Sequence, residues 1–334
     1  MIKYIVKRAL LLIPVLLGVS VIVFGVTHAF TTDPASTILG QHATAAQIAS
    51  LREKLGFNDP IPIQYWNYFK GLIQGNFGMS LYSNTPVINE LTARFPATAE
   101  LALSATIFAM LFGVAVGVVS AVKKNTWADY AGMAGALAGV SIPVFWLGIM
   151  FIILFGVILH WLPVSGRIDI TMVPPRITGF YTIDTLISGN FSMFGSAVSH
   201  LILPTVTLGL YSTAIIARMT RSAVLETLEQ DYIRTAWAKG LTEKVVVLRH
   251  ALRNALIPVV TVIGLQLGAL LGGAVLTETV FAWPGVGKYT VDAITRSDYP
   301  VISGAVLLVA FIFVAVNLVV DVIYALLDPR IKYK

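Results

Sequence analysis

Val301-Ile302-Ser303-Gly304-Ala305-Val306-Leu307-Leu308-Val309-Ala310-Phe311-Ile312-Phe313-Val314-Ala315-Val316-Asn317-Leu318-Val319-Val320 is a run of twenty residues without a charge. At ~1.5 Å per residue it matches the ~30 Å hydrocarbon core of a bilayer. The apolar reading extends it to Val301–Leu327 and finds five more spans: Ala9–Phe30, Ala97–Ser120, Ala128–Leu159, His200–Ile216 and Ala255–Val280. Of 334 residues, 57% are hydrophobic and 12% charged, and mean hydropathy is +0.81. That charge content is about half the ~25% of a soluble domain. A water-soluble single-core protein and a disordered chain are both excluded. With no cysteine, disulfides, thiolate-bound zinc and iron–sulfur clusters are excluded too. The fold class is therefore an all-α polytopic membrane protein with six transmembrane helices.

The third span is overlong, and Pro143 in Ser141-Ile142-Pro143 should kink it by removing a backbone donor. His200–Ile216 is short and should continue into the Arg218 turn. Lys3, Lys7 and Arg8 precede the first span, as in a signal peptide. Its apolar run is too long for one, however, and lacks a small-residue cleavage site, so we read it as a retained helix.

Fifteen of the 23 Lys and Arg fall in segments 1–8, 121–127, 217–254 and 328–334. The other eight are spread over the much longer segments 31–96, 160–199 and 281–300. The roughly fourfold density bias places the first set, and both termini, in the cytoplasm. It also accounts for the net charge of +6 without nucleic acid. The expected organisation is a tail and first helix (1–30), an extracytoplasmic segment (31–96) and a five-span core (97–334) carrying the cytoplasmic loop 217–254.

Several chemistries are missing. There is no H-E-x-x-H, no G-x-S-x-G and no G-x-x-x-x-G-K-[ST]. Pro284-Gly285-Val286-Gly287-Lys288 lacks the phosphate-loop spacing. The five histidines include no pair at i, i+4. No filter loop or ring of charge suggests a channel. A proton-coupled carrier, the rival from another class, should hold carboxylates in mid-membrane. Here Glu100, Asp129, Glu278 and Asp321 all lie towards span ends. One internal echo, Leu201–Gly209 against Leu256–Gly264, admits an inverted-repeat ancestry or simply two helix-initiating prolines.

The long loop 217–254 is the most unusual feature. It mixes charges with Ala, Leu, Val and Trp at helical spacing, and Gly240 supplies the break a helix needs to turn. One reading is a helix–turn–helix whose small face enters a partner's groove; the other is a solvated amphipathic surface helix.

Arg234-Thr235-Ala236-Trp237-Ala238-Lys239-Gly240-Leu241, followed by His250-Ala251-Leu252-Arg253-Asn254-Ala255-Leu256-Ile257-Pro258, closely resembles the cytoplasmic loop of binding-protein-dependent ABC importer permeases. The resemblance is narrowest with the B-type subunit of the dipeptide/oligopeptide/nickel branch. Gly75-Asn76-Phe77-Gly78-Met79-Ser80, Pro86-Val87, Met219-Thr220-Arg221-Ser222, Glu278 to Gly287, Asp298-Tyr299-Pro300 and Asp328-Pro329-Arg330 are similar to that family as well. Arg234-Thr235-Ala236 stands where the general loop pattern has Glu-Ala-Ala, so no role of that Glu carries over.

The resemblance implies a type I ABC importer permease (MetI-like) fold, in a prokaryotic cytoplasmic membrane, for a subunit that is not itself an enzyme. It implies a homologous second permease, two cytoplasmic ATPase subunits that bind ATP and Mg, an extracytoplasmic substrate-binding protein, and no cofactor in this chain. Short peptides are the implied cargo, with nickel chelates, glutathione, haem or oligosaccharides as alternatives. Asp231, Tyr232, Arg234, Thr235, Ala236, Ala238, Lys239 and Gly240 become the ATPase-coupling surface. Arg218 and Arg221 read as positive-inside anchors, and we expect one of them to pair with Asp321, since a carboxylate in a span needs a partner. Glu278, with Phe281, Trp283, Pro284 and Gly285, is either an interfacial charge beside an aromatic belt or a gate or docking contact. The outer segments form either a passive cap or a docking platform, with 166–180 reaching towards the binding protein.

Overall fold

The computed structural model describes residues 2–30, 35, 39, 43–54 and 56–327. The family-like Asp328-Pro329-Arg330 and the C-terminal segment 328–334 lie outside the described residues. The described elements are helices in the order α1 Ile2–Phe30, α2 Ala45–Lys54, α3 Ile61–Ile73, α4 Val87–Val122, α5 Trp127–Ser141, α6 Val144–Phe151, α7 Tyr181–Ile187, α8 Phe191–Leu228, α9 Asp231–Ala238, α10 Glu243–Val245, α11 Leu252–Gly273, α12 Val275–Val280, α13 Val286–Thr295 and α14 Tyr299–Leu327. Five of them are long and apolar enough to span a bilayer. The α5–α6 pair makes six if counted as one span bent by 102°. The bend falls at Ile142-Pro143, where the proline's missing N–H was expected to break the helix.

Helix ends depart from the sequence reading in one direction: the helices run on past the apolar stretches. α4 begins ten residues before Ala97 and carries Pro96 inside it. α8 is 38 residues long where the hydropathy defined only His200–Ile216. Segment 217–254 is accordingly not one long loop. α8 continues to Leu228, and helix resumes at Glu243 through a π turn, Val246–Ala251, into α11. Amphipathic ends of long helices are helical by continuation and packing, which hydropathy does not register. Pro204 and Pro258, the echoed prolines, lie inside α8 and α11 and do not start them. The fifth span breaks at Ala274, and α3, α7 and α13 are further short helices of the outer segments.

Packing rests on small residues. On α4, Ala105, Ala109, Gly113, Gly117 and Ala121 recur every fourth position and are all buried, forming one stripe along the helix. α8 lies in that stripe. A Cβ on Gly113 would stand 3.0 Å from the Thr213 carbonyl oxygen, and one on Gly117 would stand 2.6 Å from that of Ala217. From the other side, a Cβ on Gly209 would meet the Ala105 carbonyl at 3.0 Å. Lipid tails are as apolar as leucine, so helices associate in a membrane through such close contact rather than through exclusion from water. A second stripe, Gly264, Gly268 and Gly272 of α11, packs on α14. There a Cβ on Gly264 would overlap Val320 at 2.2 Å, and one on Gly272 would touch Val309 at 3.4 Å. Ser212 of α8 donates to Gln266 of α11 at 3.0 Å and joins the two pairs.

If the α4–α8 contact sets the fold, adding bulk there must separate the helices. Gly117→Val should destabilise the detergent-solubilised chain by about 1–3 kcal/mol, the usual cost of overpacking. Gly135→Ala, where a Cβ meets nothing within 4 Å, should be neutral or gain up to ~1 kcal/mol from helix propensity. Thermal unfolding of the two variants checks this.

Candidate functional site

At one end of the bundle, α9 hangs between α8 and α11. Its pattern sorts the residues cleanly. Ile233 and Ala236 are buried and pack with Val246, Ala251, Leu228 and Leu241, while Asp231, Tyr232, Arg234, Thr235, Trp237, Ala238, Lys239 and Gly240 are exposed. Ala236 therefore does not belong to the outward surface; its smallness serves contact with the chain's own π turn. Trp237, 45% exposed, takes a place on that surface that small-residue reasoning overlooked. Arg234 and Asp231 form an ion pair at 3.3 Å that is open to solvent.

Gly240 ends the helix in the left-handed region at φ +76, with its N–H on the Trp237 carbonyl at 2.9 Å. Nothing lies within 4 Å of where its Cβ would be. Backbone conformation is thus what demands glycine here. Tyr232 is tied back to the bundle, its hydroxyl accepting from Asn254 Nδ2 at 2.8 Å. α9 is thereby fastened to both helices it joins, with one face left free.

Near the same end, Arg221 grips Asp129 of α5 through Nε and Nη2, both at 2.7 Å. Asp129 also accepts from the Asn125 N–H at 3.1 Å. Arg221, one of the two arginines expected to pair with Asp321, is thus engaged by Asp129, because α5 places a carboxylate directly against the α8 arginine. Asp321 is half-buried on α14, and Arg218 is exposed. Sequence position put Asp129 at a span end, but it carried no sign of which basic residue would face it.

The opposite end is a knot of buried polar contacts. Glu278 is fully buried. It accepts from Thr98 Oγ1 at 2.7 Å and from the Lys288 N–H at 2.9 Å, and Thr98 in turn accepts from the Val286 N–H at 2.9 Å. Trp283, 1% exposed, donates its indole N–H to the Ala97 carbonyl at 2.8 Å. A Cβ on Gly285 would strike the Glu278 carboxylate at 2.3 Å, so only glycine lets the turn close over the charge. Glu278 is thus not the interfacial charge of the first reading: it is buried together with Phe281, Trp283 and Gly285, while Ala282 and Pro284 face out. The segment staples the α12–α13 turn to α4.

Two other quoted motifs meet beside it. Asp298 accepts from Ser80 Oγ at 2.5 Å and from the Leu81 N–H at 3.2 Å, joining Gly75–Ser80 to Asp298-Tyr299-Pro300. Segment 160–199 is pinned by Arg167, which forms a nearly dry ion pair with Glu100. Arg167 also donates to the Gly179 carbonyl at 2.9 Å and lies 3.7 Å over the Tyr181 ring. Glu100 accepts in addition from the N–H and hydroxyl of Thr182, at 2.9 and 2.7 Å. Burial alone would raise the Asp184 carboxyl, but the Thr178 hydroxyl and the N–H groups of Thr178, Gly179 and Ile177 hold it below the usual aspartate range. Between these pins, Ile170 and Val173 are 98% and 82% exposed. The tip of 166–180 is therefore available while its base is fixed.

A family model described as "Binding-protein-dependent transport system inner membrane component" matches residues 113–333, and its N-terminal companion matches 1–102. The chain belongs to this family. It is a multi-pass component of the inner membrane. Over 333 residues and the full length of both chains, it is 51% identical to the dipeptide transport system permease protein of Alkalihalophilus pseudofirmus. It is 48% identical over both full lengths to the di/tripeptide transport system permease protein of Pseudomonas aeruginosa. With the glutathione transport system permease protein of Salmonella typhi it shares 43%, again over both full lengths. Among solved structures, a chain of the MetNI methionine ABC transporter aligns with a TM-score of 0.54 at 20% identity, covering 71% of this chain and 96% of that one. The fold is the expected MetI-like permease fold.

The buried ion pair of Arg167 with Glu100 at the knot end has a measurable weight. Arg167→Met leaves Glu100 charged and unpaired, and should destabilise by about 3–5 kcal/mol. Arg167→Met with Glu100→Gln should recover most of that loss. Melting of the single and double variants in detergent reads both effects.

Proposed function

We propose that this chain is the permease subunit of an ATP-driven importer of short peptides, contributing half of a pore that opens alternately to either side. The supporting observation is α9, a helix whose inner face is welded to the bundle and whose outer face is exposed, in a chain matched end to end by dipeptide permeases. The α9 end faces the cytoplasm under the positive-inside reading. There two ATPase subunits would seat α9 of this chain and of a homologous second permease in their grooves.

ATP binding favours the state in which the ATPases approach each other, and that preference is the free energy available to move the helices. The path into the bundle is short. A displacement of α9 pulls Ile233 against Leu228 and Val246 and Tyr232 against Asn254, and so reaches α8 and α11 together. Arg221–Asp129 passes it to α5, and the small-residue stripe passes it to α4. The chain itself hydrolyses nothing; ATP and Mg belong to the partners. At the far end, the pinned 160–199 segment with exposed Ile170 and Val173 offers a firm base for an extracytoplasmic binding protein that delivers the peptide. Glutathione is the second cargo reading, favoured by the 43% identical relative; competition between a dipeptide and glutathione for uptake separates the two.

The test is affinity purification in mild detergent with mass spectrometry of what accompanies the chain. A sister permease and ATPases bearing phosphate-loop motifs are expected. A chain that purifies alone and transports without ATP overturns the proposal. Gly240→Val should leave membrane insertion intact and abolish ATP-coupled uptake, whereas Gly240→Asn, better tolerated at positive φ, should retain part of it.

A further inference from the structure

α1 packs along α14 but buries little of itself. Only 11% of its apolar window is buried, and Leu10, Ile13 and Ile22 are exposed. Its neighbours leave space. At the knot end, a cavity of about 670 Å3 lies between α1, α3 and the start of α14, with Thr27, Tyr68 and Ser303 in its walls. About three turns deeper along α1, a groove of about 340 Å3 runs between α1 and α14, with Ile13, Leu17, Leu307 and Phe311 in its walls. Leu72 and Phe77 line both, so the two spaces adjoin.

Their chemistries differ. The cavity presents Thr27, His28, Asn67, Tyr68, Asn76 and Ser303. The groove's only polar residue is Ser20, whose hydroxyl is already occupied by the Leu17 carbonyl at 2.8 Å and the Tyr65 hydroxyl at 2.9 Å. In the cavity wall, the Tyr68 hydroxyl is buried without a hydrogen-bond partner among the described residues. Burial, with Tyr65 beside it, pushes that hydroxyl up to about 12, so it remains a proton donor at any physiological pH. Buried donors in native structures are nearly always satisfied, and an orphan calls for an acceptor.

A polar chamber at the rim of a span, continuous with a dry groove that runs down between two membrane helices, fits an amphiphile with a phosphate in its head. A water-soluble ligand would leave the groove empty, and a plain hydrocarbon would leave the Tyr68 donor unmet. We propose that this two-part cleft holds one glycerophospholipid, its phosphate head beside Tyr68, Asn67 and His28 and one acyl chain between α1 and α14, and that this lipid fastens α1 to the bundle. The combined space is of the size that encloses a small-molecule ligand, and the lipid adds packing surface to a sparsely buried α1.

The test is native mass spectrometry of the full chain in its assembled complex, with phosphatidylethanolamine as the added probe. The wild type should retain one lipid at collision energies that strip all others. Tyr68→Phe should lower the retained fraction several-fold, and Thr27→Trp, which fills the chamber, should abolish retention. Ile22→Trp, on the open face of the same helix, should keep the lipid. Added phosphatidylethanolamine should raise the melting temperature of the wild type but not of Thr27→Trp, and inorganic phosphate should not displace it. If the wild type retains no lipid, or loses it as readily as Thr27→Trp, the cleft is filled by something else and the proposal fails. Displacement by inorganic phosphate also overturns it. Should Thr27→Trp not assemble, Tyr68→Phe decides alone, because it removes a single oxygen, and unchanged retention then refutes the site.

Discussion

The structure depends on how closely α4 and α8 approach. Glycine and alanine every fourth residue on α4 bring the two backbones within reach of each other's carbonyl groups. Inside a bilayer that contact is the main source of helix association, since no water is expelled when apolar faces meet. Three other parts are attached to this pair: α5 through Arg221 and Asp129, α11 through Ser212 and Gln266, and the 160–199 segment through Arg167 and Glu100. Because α8 is one helix from the knot end to α9, the pair also connects the two functional ends of the chain.

Those ends are built on opposite principles. At the knot end, buried acids are each surrounded by donors. Glu278, Glu100 and Asp298 accept from hydroxyls, backbone N–H groups or a guanidinium, so the charges organise the turns instead of burdening the membrane. At the α9 end the polar residues are mostly open to solvent, and only Ile233 and Ala236 are committed inward. The first arrangement resists change; the second leaves a surface for another protein to occupy. A subunit that receives force at one end and must keep its shape at the other would be expected to differ in this way.

The spans, the break at Pro143 and the turn at Gly240 were legible in the sequence because each has a one-dimensional cause: hydropathy, a missing N–H, a required positive φ. What escaped has a three-dimensional cause. Ala236 was read as a contact for a partner because small size permits close approach, but size does not say on which side the approach occurs. Arg221 had two acids near its end of the membrane, and only helix packing chose Asp129 over Asp321. Glu278 looks interfacial from its position, yet Thr98, distant in sequence, closes over it together with Gly285 and the Lys288 N–H of the following turn. The stripe at Ala105, Ala109, Gly113 and Gly117 could have been read from its period of four, had small residues been counted as a signal alongside large apolar ones.

The central claim is that α4 and α8 move as one body when α9 is displaced. The absence of native cysteines allows a direct measurement: spin labels at Leu111→Cys and Tyr211→Cys, both at exposed positions, with their separation read by pulsed electron–electron resonance in the assembled transporter. The account predicts the same distance distribution without nucleotide and with a trapped ATP analogue. A distribution that shifts with nucleotide would show the two helices sliding or parting, and would contradict it.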